Sequence, residues 1–339
     1  MNADRRRFLT MTGVALPSLA VGLTSTLAQE ANPKDPLPSW NPGPTKKAIL
    51  DFVARTTREG SRDHVAVPDR VAVFDNDGTL WCEQPMYVQL AFALDRVKTL
   101  ADRHPAWKDK EPFRSVLAGN LKGVIAAGEK GLVELILATH AGMTTDEFAE
   151  IVKRWLATAR HPRFGRPYTE CVYQPMLEVM TFLRASGYRT YIVSGGGVEM
   201  IRVFAQQVYG VPPEQVIGST IKTKFEMRGT TPVLVRLPEM EFIDDRAGKP
   251  VAIHKFLGRR PVMAFGNSDG DFEMLEWTTA GSGPRFGFLL HHTDRVREYA
   301  YDRKSPFGRL DRGLDEARKR GWIVADMQAD FQRVFAFGK

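Results

Sequence analysis

Asp75 and Asp77 are separated by one asparagine in VAVFDNDGTLWCE (71 to 83), where a four-residue apolar run ends on the two carboxylates and continues into Gly78 and Thr79. With a turn at Gly78 both carboxylates face one crevice, and two such close anions are tolerable only beside a cation or with a shared proton. A pair of this kind suits a nucleophile standing next to a proton-shuttling acid. A calcium-binding helix–loop–helix does not fit. Placing Gly78 sixth in its loop makes Val73 the first ligand and Gln84 the twelfth, and neither has the required carboxylate. A plain Asp-Gly turn remains an alternative for the pair taken alone.

Two further stretches carry matching chemistry. Ser194-Gly195-Gly196-Gly197 follows the apolar TYIV and precedes a helical VEMIRVFAQQVYG, so its backbone N–H groups and the serine hydroxyl form a cradle for a phosphate-like oxyanion. No Lys-Ser or Lys-Thr pair follows the glycines, and no G-x-G-x-x-G spacing is present, which excludes the usual nucleotide loops. Gly266-Asn267-Ser268-Asp269-Gly270-Asp271 brings more oxygen donors, a set that suits magnesium better than calcium or zinc. Gly248-Lys249-Pro250 opens a helix, and Lys249 offsets the anions and holds a phosphate, with Lys255 as its alternative.

These loops need elements that bring them together. VAVF (71 to 74), TYIV (190 to 193) and PVMAF (261 to 265) lack polar alternation, which predicts strands buried on both faces. Each is followed by a polar or glycine-rich loop and then a helical pattern, which predicts parallel strands whose carboxyl ends converge on one crevice. Residues 84 to 168 read as mainly helical and are expected as an inserted cap, its last helix opened by a Thr-x-Asp-Glu start. The alternation over 216 to 243 predicts a β-hairpin turning at Arg228-Gly229. In the tail, a strand is expected over Phe286 to His291, then helices in HTDRVREYAYD (292 to 302) and LDEARKRG (314 to 321), and finally GWIVADM. Ahead of the first strand, the proline-dense segment 32 to 44 leads into an amphipathic helix from about 45 to 59, expected to dock on the outside of the main domain.

The order D-x-D-G-T, apolar-S-G-G, lysine at a helix start, G-N-S-x-x-D resembles the four motifs of the haloacid dehalogenase-like hydrolase superfamily over residues 71 to 275. The S-G-G loop and the long insertion after the first motif resemble its phosphoserine-phosphatase-like branch. The resemblance implies an α/β fold, a Rossmann-like doubly wound, mainly parallel sheet with an inserted helical cap. The core would comprise 67 to 83 and 169 to 339, the cap 84 to 168, and a connector with its helix 29 to 66. It implies a magnesium-dependent phosphomonoesterase acting on a small phosphorylated metabolite. Asp75 is then the nucleophile that becomes an aspartyl-phosphate, and Asp77 the general acid and base. Ser194 holds the phosphoryl group with the amides of Gly195 and Gly196, and Lys249 neutralises Asp75. The metal rests on Asp75, the carbonyl of Asp77, Asn267 and Asp271. Glu83, with Gln84 and Tyr87, stands where the first loop enters the cap and can touch the substrate.

One departure is Asn267, where the family has aspartate; an amide oxygen ligates magnesium without contributing charge, and Asp269 is an alternative donor. Asp77 disfavours a dehalogenase, which has no leaving oxygen to protonate. A phosphomutase, or a noncatalytic exported module that binds an anion or a metal, remains an alternative.

The chain has 339 residues, 43% hydrophobic and 26% charged, enough for a sizeable core. Asp4-Arg5-Arg6-Arg7-Phe8-Leu9 precedes an uncharged stretch ending in Thr26-Leu27-Ala28, the shape of a twin-arginine-type export signal over 1 to 28. Its removal leaves a periplasmic or secreted protein with no stable membrane anchor. The basic residues are scattered with no aromatic ladder, which argues against a nucleic-acid partner, and the sequence specifies no oligomeric state. His140, in the cap, is the histidine expected nearest the cleft. Cys82 and Cys171 flank the insertion on its two connectors, so they are expected close together, where a disulfide can form in an oxidising compartment.

Overall fold

Buried on both faces, Val71–Phe74 is the middle strand of a seven-stranded sheet, as its unbroken apolar run requires. The computed structural model describes residues 35–338, so the expected export signal lies outside the described residues. The strands are β1 (Val71–Phe74), β2 (Arg189–Gly197), β3 (Val216–Arg228), β4 (Thr231–Phe242), β5 (Met263–Gly266), β6 (Phe286–His291) and β7 (Ile323–Asp326). Their order is β4-β3-β2-β1-β5-β6-β7, all parallel except the β3–β4 hairpin. The fold is α/β with a mostly parallel, Rossmann-like sheet.

Helices α1 (Pro44–Thr57), α2 (Val88–Leu100), α3 (Phe113–Leu117), α4 (Leu121–Ala126), α5 (Gly128–His140) and α6 (Thr145–Thr158) come before β2, joined to it by α7 (Gln174–Ala185). After β2 come α8 (Val198–Tyr209), α9 (Gly248–Leu257), α10 (Phe272–Thr279), α11 (Arg312–Glu316) and α12 (Met327–Asp330). Residues 84 to 168, between β1 and α7, thus hold five α-helices and no strand. Helix α6 begins with a full capping box between Thr144 and Glu147. Among the described residues no helix is long and apolar enough to cross a membrane.

Register sets the site. Phe74 pairs with Ile192 on one side and Phe265 on the other, and the Asp75 amide donates to the carbonyl of Phe265 at 2.9 Å. The loops after β1, β2 and β5 therefore emerge at one sheet edge. Strand β2 runs further than expected, through the glycines to Gly197, with its register against β3 shifting between Ser194 and Gly197. The glycine run is the bulged end of a strand that turns directly into α8.

Three packing relations tie further segments to this framework. Within the described part of the proline-dense segment, Trp40 is buried against Phe288 and Phe331, and its indole donates to the carbonyl of Pro175 at 3.0 Å. Helix α1 buries Ile49, Phe52 and Val53 in the same core. The free edge of β4 bonds the α5–α6 turn, with Gly142 donating to the Arg236 carbonyl at 2.8 Å and Arg236 to the Met143 carbonyl at 2.9 Å.

Residues 292 to 302 do not form the expected helix. Asp294 turns back to accept from the amides of Val296 and Arg297, and the Arg297 guanidinium donates to four carbonyls, of Met327, Gln328, Phe331 and Gln332. These long-range bonds satisfy the backbone of another segment and outweigh a helical pattern in the local sequence. In 314 to 321 only α11 is helical, and it ends at Glu316.

Candidate active site

At the end of β1, Asp75 is buried against Lys249, whose ammonium lies 2.5 Å from Asp75 Oδ1, 2.6 Å from Asp271 Oδ1 and 3.0 Å from the carbonyl of Val193. Lys249 sits in the first turn of α9 and is 2% exposed, while Lys255 lies outside, exposed. Burial alone would lower the ammonium pKa, but Asp271 and Asp75 outweigh it and hold Lys249 charged, well above the usual lysine value. Burial, with the charge of Asp271, pushes the Asp75 carboxyl well up even against the pull of Lys249.

Asp77 accepts from the indole of Trp81 at 2.9 Å, and burial raises its carboxyl above the ordinary range. Between the two acids, Asn76 accepts from Tyr209 at 3.0 Å, which fixes the turn. Gly78 has φ +79°, and a Cβ there would come within 2.1 Å of Asn267 Nδ2 and 2.3 Å of Glu83 Oε1. The turn needs glycine for both reasons.

The predicted residues occupy distinct positions around this pair. Asp75, Asp77, Glu83, Tyr87, Gly195, Gly196 and Lys249 all line one cavity of about 290 Å³. Ser194 is buried behind it, and its Oγ accepts from the Gly196 amide at 3.0 Å, so Gly195 to Gly197 form the wall itself. Asn267 is engaged at both ends: Oδ1 accepts from Thr79 at 3.0 Å and Nδ2 donates to Glu83 at 2.6 Å. Asp271, expected on the metal, has Lys249 on one oxygen, while the other accepts from the amides of Asn267 and Ser268. Asp269, the alternative donor, points elsewhere, because its carboxylate accepts from the amides of Asp311, Arg312 and Gly313 at the start of α11. Gln84 turns away to Ser305 and the carbonyl of Phe307. His140 is fully buried behind Gln89, 3.3 Å from its amide.

Cys82 and Cys171 do meet, the Cys82 amide donating to the Cys171 carbonyl at 3.0 Å, and both are buried free thiols.

Four site residues had no local signal. Gln89 of α2 accepts from the Gly197 amide at 2.7 Å, linking the inserted helices to the glycine loop. Arg236 of β4, 4% exposed, donates to the His140 carbonyl at 2.7 Å and pairs with Glu199. From the tail, Tyr301 donates to Glu83 Oε1 at 2.9 Å and the His292 ring bonds the Gly78 carbonyl at 2.7 Å. Only their distance in sequence hid them.

Among the described residues no three His, Cys, Asp or Glu side chains form a ready metal cage. The donor chemistry nevertheless fits a hard divalent ion: Asp75, Asp77, Glu83 and Asp271 set four carboxyls against the single ammonium of Lys249. Burial pushes the Glu83 carboxyl well up as well, so this surplus of negative charge is costly without a cation.

Residues 72–276 match the haloacid dehalogenase-like hydrolase family. No curated protein matches the chain. Among solved structures, a conserved protein of unknown function from Anaerococcus prevotii DSM 20548 is 16% identical, with 87% of this chain and 96% of that one covered and a TM-score of 0.52. A protein of unknown function from Bordetella pertussis Tohama I is 18% identical over 76% of this chain and 98% of that one, with a TM-score of 0.50. At these identities the likeness is one of fold.

Proposed function

We propose, since the chain belongs to the haloacid dehalogenase-like hydrolase family, that it is a phosphomonoesterase cleaving a small phosphorylated metabolite through a phosphoryl group carried on Asp75. The observation that carries this reading is the Asp75–Lys249 pair at the cavity wall, with Asp77 two residues on lining the same cavity. A nucleophile needs its charge held in place, and an acid needs a proton to give.

In the first step an Asp75 oxygen forms a bond to phosphorus as the bond from phosphorus to the alcohol oxygen breaks. Asp77, whose carboxyl burial raises above its ordinary value, gives a proton in this step to that leaving oxygen. In the second step Asp77, now a carboxylate, takes a proton from water; the water oxygen attacks phosphorus, and the bond to Asp75 breaks to release inorganic phosphate. Lys249 stays charged throughout and counters the charge on Asp75 and the phosphoryl oxygens. The Ser194 oxygen accepts from the Gly196 amide and so sets the glycine wall that faces the phosphoryl group. Asp75, the carbonyl of Asp77 and Asn267 would hold a magnesium ion, with Asp271 steadying the loop beside them. When bound, that ion draws charge from the phosphoryl oxygens.

A cavity of about 290 Å³ favours a small substrate over a phosphoprotein. The arginine-led start RRRFL supports a periplasmic or secreted location. Turnover of para-nitrophenyl phosphate with magnesium tests the reading. Wild-type protein should release nitrophenol, and Asp75→Asn, with unchanged circular dichroism, should not. A folded wild-type protein that binds phosphate but turns over no ester would be a binding module instead.

A further inference from the structure

Where the inserted helices and the β3–β4 hairpin line the cavity, its wall is largely hydrocarbon. Helix α5 presents Leu132, Val133 and Ile136 on successive turns of one face, and α2 adds Leu90. The hairpin supplies Ile221 and Met240, which are cross-strand partners. Of the polar side chains along this wall, Gln89 and Arg236 are bonded to the protein. Gln89 accepts from Gly197 and meets the ring of His140. Arg236 donates to the His140 carbonyl, lies 4.0 Å over the ring of Phe148 and pairs with Glu199. Glu129 stands exposed at the first turn of α5.

Sugar hydroxyls or an amino-acid head lying against these hydrocarbon side chains would lose water and find no donor or acceptor on them. A hydrocarbon loses nothing and removes apolar wall from water. Resting on the phosphatase reading above, we propose that the substrates are phosphate monoesters of apolar alcohols, with the alkyl or aryl group lying between α5 and the β3–β4 hairpin. At roughly 30 Å³ for each water-sized group, the 290 Å³ cavity holds a phosphoryl group and about six carbons. Leu132, Ile136 and Met240 set the specificity.

Alkylphosphonates, which are not hydrolysed, test the pocket separately from the chemistry. With full-length protein and magnesium, calorimetric affinity should rise by about threefold to fourfold per methylene from methyl- to hexylphosphonate and then level off. Propylphosphonate should bind more tightly than its 2,3-dihydroxy analogue. Ile136→Asn should reduce the hexyl-over-methyl ratio by about fivefold or more. A flat chain-length series, a preference for the dihydroxy compound, or no binding of any phosphonate overturns the proposal. Failure of every phosphate ester to turn over would defeat the phosphatase reading, while the phosphonate series would still decide this one.

Discussion

The side-chain amide of Asn267 donates to Glu83 Oε1 at 2.6 Å, so the neutral residue of the fourth loop and the carboxylate at the entrance to the inserted helices act as one unit. Thr79 holds the other end of the amide, and the hydroxyl of Tyr301 holds the same oxygen of Glu83. The negative charge absent from position 267 stands one hydrogen bond away.

Asn267→Asp would set two buried carboxyls against each other. It should destabilise the protein by about 1–3 kcal/mol in urea denaturation without magnesium. Adding Glu83→Gln should recover at least half of that loss, a coupling that a double-mutant cycle measures. Equal stability of Asn267→Asp and wild type would mean that the Asn267–Glu83 contact does not form.

Lys249→Met leaves Asp75 and Asp271 buried with no counter-charge. A loss of about 3–5 kcal/mol is expected at pH 8, and a smaller one at lower pH, because burial raises the Asp75 carboxyl and eases its protonation. Lys255→Met, on the exposed side of α9, should stay within about 0.5 kcal/mol of wild type. Similar urea midpoints for the two variants would refute the burial argument.

Asp244 supplies a pH dependence with a definite sign. Burial, only partly offset by the charge of Lys249 and the nearby Ser194 amide, pushes its carboxyl up to about 7 from an ordinary 3.8. A carboxyl whose folded pKa is raised favours the folded state while protonated, so this contribution declines as pH rises from near 4 to about 7 and is then constant. Asp244→Asn should therefore be more stable than wild type at pH 8, by at most about 4 kcal/mol, and should lose that advantage near pH 4. Thermal unfolding at the two pH values checks it.

Asp75, Asp77 and Glu83 are raised in the same direction by burial, so a bound cation should matter most where they are ionised. Magnesium is expected to raise the melting temperature more at pH 8 than at pH 5. An equal rise, or none at pH 8, would argue against an ion at this cluster.

Legibility in the sequence followed the range of the interaction. Asp75, Asp77, Gly195, Gly196 and Lys249 were readable because each sits at a strand end or helix start, where the pattern within ten residues fixes the position. The choice of Lys249 over Lys255 follows from the same logic, since the first turn of α9 points at the sheet edge. Tyr301 and His292 reach the first loop from over 200 residues away, through a segment whose helical pattern is overridden by Arg297 bonding distant carbonyls. Arg236 lies in an alternating hairpin that reads as solvent-facing, until the α5–α6 turn bonds the edge of β4 and buries it. Pairing between remote segments leaves no local periodicity.

The central claim is a phosphoryl group on Asp75. Protein quenched in acid during turnover of para-nitrophenyl phosphate, then digested and analysed by mass spectrometry, should carry a phosphoryl adduct on the peptide containing Asp75, at that residue. An adduct on Ser194 instead, or undiminished turnover by Asp75→Asn, would contradict it.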